Sequence, residues 1–123
     1  MGQPLQVYGD GHGLRDYLFA EDVGWLVAEL VSRSDLPRIL NVATGVGTSV
    51  LQLVATVEAV TGLRLPIQHL PIRGFDVASV VLDIRQLRAL VEWRPTPLEL
   101  GVRETWRQLR LASSRQVRRG ADE

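Results

Sequence analysis

Two arginines in this sequence stand where a guanidinium can do more than solvate the surface. Arg15 follows the glycine-dense run Gly9-Asp10-Gly11-His12-Gly13 and is trailed by Asp16 and Tyr17 within an otherwise apolar stretch. Arg73 lies in Pro71-Ile72-Arg73-Gly74-Phe75-Asp76, a turn composition between two extended segments. A guanidinium at the border of a strand and a loop suits a phosphate, because its planar fork donates two parallel hydrogen bonds to the oxygens. Asp76 is then placed to accept from a ribose hydroxyl. The competing reading is that Arg15 pairs with Asp16 or Asp22, and Arg73 with Asp76, as solvated ion pairs that contribute little. On spacing alone the ion pairs are favoured, since surface arginines are common and pockets few.

Much other chemistry is excluded by composition. All 14 basic residues are Arg and Lys is absent, so there is no Schiff-base lysine, no P-loop lysine and no lysine partner for a catalytic tyrosine. Cys is absent, which removes disulfides, thiolate nucleophiles and Cys-based metal sites. His12 and His69 are too few for a metal cluster. Tyr17 has Glu21, not Lys, at the fourth position after it, and no carboxylate pair has acid/base spacing. Gly45-Val46-Gly47-Thr48-Ser49 resembles a phosphate-cradling turn, but it lacks the third glycine of G-x-G-x-x-G and the acidic residue about twenty positions on. A tight turn plus a helix cap is the better reading there. No catalytic, cofactor-binding or metal-ligating residue is expected.

The elements that must position these groups are short. Leu5-Gln6-Val7-Tyr8 alternates as a strand, the glycine run turns, and Arg15 to Ala20 reads as extended. Asp22 is placed to N-cap a helix from Val23 to about Val31, with Leu26, Val27, Leu30 and Val31 on one side. Arg38 to Val42 reads as a buried strand. Ser49 and Gln52 have capping-box spacing at the head of a helix that carries Val50, Leu53, Val54, Val57 and Val60 and stops at Gly62. Leu65, Ile67 and His69 alternate as an edge strand beside Pro66. Ala78 to Leu82 is a further strand, and Asp83 caps a helix with Leu87, Leu90 and Val91. Thr96-Pro97-Leu98-Glu99 combines a capping box with proline at the first helical position, opening a helix with Leu98, Val102, Trp106 and Leu109 on its buried face. Trp25, Trp93 and Trp106 read as packing residues.

One domain is expected from 123 residues with 46% apolar content. The formal net charge is zero, so neither nucleic acid nor a membrane surface is called for as a partner. The Arg-rich end, Arg103 to Arg119, reads as a solvated face first, with a nucleic-acid footprint the weaker option. No apolar run approaches a membrane span and no signal peptide opens the chain, so a cytoplasmic location is expected. The fold class is α/β, short strands alternating with about four helices and no complete Rossmann domain. Residues 1–111 form the folded portion, and 112–123 a polar, Arg-rich, disordered tail.

Several landmarks then fall in one order. Gly9-Asp10-Gly11 with Arg15-Asp16-Tyr17 and Asp22 resembles the GDG-x-x-x-RD-[FY] stretch of the extended short-chain dehydrogenase/reductases. Asn41-Val42-Ala43-Thr44-Gly45 resembles their N-V-G-T-G turn, and Arg73-Gly74-Phe75-Asp76-Val77 their R-x-G-D-V segment. Asp83 with Trp93-Arg94-Pro95, and Leu98 to Trp106, are similar to the family's closing A-D-I…L-G-W-x-P and S-L-E-E-G-L-R-x-T runs. The likeness covers about residues 3–111. It implies the substrate-binding C-terminal portion of an NAD-dependent epimerase/dehydratase like UDP-glucose 4-epimerase, with a UDP- or dTDP-sugar as partner. By position, Arg15 and Arg73 are implied to bind the diphosphate and Asp76 the ribose, with Tyr17 beside Arg15. Phe75 departs from the family, which usually has Gly there. The family's G-x-x-G-x-x-G turn, catalytic Ser/Thr and Y-x-x-x-K pair are not found here, so this chain is expected to bind no NAD and catalyse nothing alone. A missing Rossmann lobe, or a second copy of the chain, is the expected partner of its uncovered surface. The alternative is a degenerate stand-alone module used for oligomerisation or protein interaction.

Overall fold

The computed structural model describes the backbone of residues 3–119 and the side chains of residues 3–113. Five short strands and four helices follow one another as β1 (Leu5–Tyr8), β2 (Leu14–Arg15), α1 (Ala20–Leu30), β3 (Thr48–Ser49), α2 (Val50–Thr61), β4 (Ile67–Leu70), β5 (Ser79–Val80), α3 (Arg85–Leu90) and α4 (Leu98–Arg119). They give the mixed α/β architecture that the alternation implies. β1 and β4 pair in parallel, from Leu5 opposite Ile67 to Tyr8 opposite Leu70. A second sheet has the order β3-β2-β5, with β2 antiparallel to β3 and parallel to β5. Pro66 sits just before β4, where its missing N–H costs nothing and its carbonyl accepts from the Leu5 amide.

The core lies under α1 and α3. Leu26, Leu30, Ala43, Ile84, Leu87 and Trp93 close it, with Leu18, Leu40, Val42 and Val91 packed against it. The Trp93 indole N–H donates to the Ala43 carbonyl at 2.7 Å, which satisfies the one polar atom that a buried indole brings. Trp25 stacks on Trp93 at 6.3 Å between ring centroids. α2 packs on α4, and α2 has both ends that the sequence specifies: the reciprocal Ser49–Gln52 capping box and Gly62 in the left-handed conformation.

Other expectations are corrected. α1 begins at Ala20 and Phe19 is its cap residue, so Asp22 lies inside the first turn. Its carboxylate accepts instead from the Thr96 amide and hydroxyl, both at 2.7 Å, and so ties α1 to the head of α4. The Thr96 hydroxyl donates to Asp22 and the Glu99 carboxylate accepts from Arg103, and among the described residues no capping-box hydrogen bond joins Thr96 and Glu99. Pro97 precedes the first helical residue, and its carbonyl accepts from Gly101. On α1 only Leu26 and Leu30 are buried, while Val27 and the cap residue Val31 face outward, uncovered by any other part of the described residues. Leu109 is likewise exposed, at the rim of the space between α2 and α4. Residues 38–42 form no strand: among the described residues no neighbouring strand pairs with them, and Ile39 is 81% exposed. The strand expected over Ala78 to Leu82 narrows to Ser79–Val80. Asp83 accepts from the Arg85 amide, one position before the cap residue Ile84. α4 continues as helix through Arg119 into the segment expected to be a tail, and residues 120–123 lie outside the described residues.

This packing predicts that Leu87→Ala, at a fully buried position, lowers unfolding free energy by about 2–5 kcal/mol. Ile39→Ala is expected to stay within about 0.5 kcal/mol, as for exposed positions in general. Denaturant titration of the two variants checks the contrast.

Candidate functional site

Because β1 and β4 run parallel, the segments after them leave the sheet at the same end. The first is the glycine turn, which has to be glycine at one point above all. Gly11 has φ +78°, and a Cβ there would lie 2.9 Å from Leu51 Cγ. The Gly11 carbonyl accepts from the Leu51 amide, seating the turn on the first turn of α2. Its other side is held by His69, whose Nδ1–H donates to the Gly9 carbonyl at 2.8 Å. The second segment is the turn 73–76, closed by the Asp76 amide donating to the Arg73 carbonyl.

After the glycine turn the chain is extended, so alternate side chains face opposite ways. Asp16 points inward. Its carboxylate accepts from the Thr44 amide at 2.8 Å, the Thr44 hydroxyl at 2.5 Å, the Gly45 amide at 2.9 Å and the Leu82 amide at 3.4 Å. Burial acts to raise this group, but the hydrogen bonds from Thr44, Gly45 and Leu82 outweigh it and hold the carboxyl below its ordinary value. Arg15 and Tyr17, on either side, turn the other way.

They meet Arg73 and Asp76 at a single cavity of about 380 Å³, also lined by Tyr8 and Asp10. All four residues singled out from the sequence are thus brought together. Arg15 is anchored there by Nη1, which donates to the Leu14 carbonyl at 2.7 Å and the Val77 carbonyl at 2.9 Å. It pairs with neither Asp16 nor Asp22, so that ion-pair reading is corrected. The one proposed for Arg73 is present. Arg73 Nε and Nη2 donate to the two oxygens of Asp76 at 3.0 and 2.8 Å, and this bond, with the nearby charge of Arg15 adding to it, holds Asp76 below the ordinary carboxylate value. The Arg73 guanidinium carbon also lies 4.1 Å from the centre of the Tyr8 ring and 5.1 Å from that of Phe75. Nothing in the sequence marks Tyr8 as a site residue. Only its position, directly before the glycine turn, points to it.

A second cavity, of about 310 Å³, opens between α2 and α4 against Leu53, Val57, Val102 and Trp106. Tyr17 lines both cavities, but no charged side chain lines this one, so it offers nothing to an anion.

No protein-family profile matches the chain. Individual relatives do. It is 31% identical over 114 residues to UDP-glucose 4-epimerase from Neisseria meningitidis serogroup A, covering 84% of this chain and 33% of that protein. It is 30% identical over 110 residues to dTDP-4-dehydro-6-deoxy-D-allose reductase from a Streptomyces species, covering 89% and 33%. The fold matches UDP-glucose-4-epimerase from Stenotrophomonas maltophila, solved with bound NAD and formylated UDP-arabinopyranose, at a TM-score of 0.77 and 30% identity over 90% of this chain and 36% of that one. MoeE5 in complex with UDP-glucose and NAD matches at 0.75 and 31%, over 89% and 38%. The chain is thus similar in sequence and fold to extended short-chain dehydrogenase/reductases of the NAD-dependent epimerase/dehydratase family. It spans about a third of the length of the curated relatives that it matches.

The glycine turn at 45–47 does not fit the pyrophosphate of that family's cofactor. A Cβ at Gly47 would lie 2.8 Å from Val81 Cγ2 and 3.2 Å from Leu14 Cδ1, and one at Gly45 3.0 Å from Ile84 Cδ1. The space beside these glycines is filled by the chain's own side chains, so they serve close packing rather than the approach of a phosphate. Among the described residues no helix is long and apolar enough to cross a membrane.

Asp16 carries a pH prediction. Its folded-state pKa is lowered, so the carboxylate stabilises the fold above the ordinary carboxylate range, and this contribution is lost as pH falls through the folded value. Asp16→Asn should therefore lower the urea midpoint at pH 7 by the equivalent of about 1–3 kcal/mol, the cost of mismatching its donors, of which those of Thr44 are buried. The gap to the parent should narrow toward pH 3.

Proposed function

We propose that this chain is the nucleotide-sugar-binding portion of an NAD-dependent epimerase/dehydratase and is catalytically incomplete as it stands. The observation that carries the reading is the convergence of Arg15, Tyr17, Arg73 and Asp76 on one cavity, from positions some sixty residues apart in sequence. Two guanidinium groups facing one space supply the charge-assisted donors that a pyrophosphate needs. On this reading Arg15, held at Nη1 by backbone carbonyls, points its remaining donors at one phosphate, and Arg73 takes the other. The Asp76 carboxylate accepts from a ribose hydroxyl, and the Tyr17 hydroxyl hydrogen-bonds beside Arg15. The solved complexes with UDP-glucose and with a UDP-arabinopyranose support a nucleoside diphosphate sugar as the class of ligand.

The chain contributes binding and orientation to the reaction. It has no Lys to partner a tyrosine base, so this 123-residue chain has no means of removing the sugar hydroxyl proton in the way that the family resemblance implies. A second reading, an oligomerisation or protein-interaction module, draws on the outward-facing Val27, Val31 and Ile39.

Calorimetric titration separates the two. UDP and UDP- or dTDP-sugars are expected to bind the parent chain, and Arg15→Ala or Arg73→Ala to weaken UDP about tenfold or more, the usual worth of a hydrogen bond to a charged group. With UDP-glucose and NAD the parent chain should form no epimer. A flat titration together with a stable oligomer in sedimentation would favour the second reading.

A further inference from the structure

The nucleotide-sugar reading gives Arg73 and Asp76 separate partners on the ligand, yet in the structure the two are engaged with each other. Two guanidinium hydrogen bonds of 2.8 and 3.0 Å reach the Asp76 carboxylate, and the Arg73 amide donates to it at 3.3 Å. A ribose hydroxyl that recruits Asp76 competes with these donors for the lone pairs of the carboxylate and so weakens its hold on Arg73. Arg73 would then be a long side chain, 44% exposed, on a turn, with its ion-pair partner shared with the ligand. Holding such a side chain in one rotamer costs entropy that a ligand would otherwise have to offset.

Resting on that reading, we propose that Phe75 and Tyr8 are positioning residues that keep the Arg73 guanidinium at the cavity when Asp76 turns to the ligand. Both rings lie within cation–π distance of the guanidinium carbon, Tyr8 at 4.1 Å and Phe75 at 5.1 Å. That attraction acts on the cation alone and persists without Asp76. Phe75 has no packing reason to be aromatic: it is 77% exposed and contributes nothing to the core. Its place at the corner of the turn that carries Arg73 and Asp76 puts the ring beside the cation. Tyr8, at the last residue of β1, approaches the same group from the sheet and lines the cavity itself. The ring at position 75 thereby makes Arg73 binding to the diphosphate independent of its ion pair.

The test is UDP titration of the full chain in a double-mutant cycle. Phe75→Leu keeps the bulk and removes the π face, and at so exposed a position it should leave the melting temperature unchanged. It is expected to weaken UDP about two- to fivefold, in line with an exposed cation–π contact, and Tyr8→Leu likewise, whereas Phe75→Tyr and Tyr8→Phe keep parental affinity. In an Arg73→Ala background, followed by NMR at millimolar UDP, Phe75→Leu should cost nothing further, because its effect runs through Arg73. Equal affinity of Phe75→Leu and the parent overturns the proposal while Arg73→Ala still weakens binding. An equal loss with and without Arg73 also overturns it, since Phe75 would then touch the ligand directly. If Arg73→Ala binds UDP as tightly as the parent, the nucleotide reading itself fails and the proposal falls with it.

Discussion

Four residues of β1 lie parallel to four residues of β4, with Leu5 beside Ile67 and Tyr8 beside Leu70. In a parallel pair both strands finish at the same end of the sheet, so the segments next in sequence are delivered to one place. Here those segments are the glycine turn with Arg15 and the turn with Arg73 and Asp76. A short parallel match of β2 with β5 repeats the arrangement one layer on, setting Arg15 opposite Val80 and letting its side chain reach the Val77 carbonyl. An antiparallel pairing of the same strands would have sent the two arginines to opposite ends. The cavity is thus a product of topology, and its charge comes from which residues sit at two strand ends.

A second constraint keeps that end of the molecule in shape. Asp16 collects amides from Thr44, Gly45 and Leu82, three contacts drawn from two distant segments onto one carboxylate. With its inward direction fixed, the alternation of an extended chain leaves Arg15 and Tyr17 facing the cavity. The Arg-Asp-Tyr order of residue types therefore has a local physical meaning in this chain: the outer two groups present, and the middle one anchors. Asp22 does the same service for α1 and α4 by holding Thr96.

How much of this was legible in the sequence depended on whether the signal was local. The capping box at Ser49 and Gln52, the stop at Gly62 and the strand over Leu5 to Tyr8 are encoded within a few residues, and each stands as read. The four residues proposed for the site were picked out by their types and by likeness to a family, and they line one cavity. What could not be read were the long-range claims on a side chain. Asp22 has the right type to cap the helix beginning nearby, but Thr96, 74 residues away, takes its carboxylate. Residues 38–42 have the composition of a buried strand, yet a strand needs a neighbour, and Ile39 stands exposed without one among the described residues. Val27 and Val31 lie on a periodic stripe wider than the surface available to cover it. Tyr8 reads as one more alternating strand residue until the turn at 73–76 folds back over it.

The central claim is that Arg15 and Arg73 act on one diphosphate. A crystal structure of the chain grown with UDP tests it most directly. The account predicts phosphate oxygens within hydrogen-bond distance of both guanidinium groups, and the ribose against the Asp76 carboxylate. UDP seated elsewhere, or touching neither arginine, would contradict it.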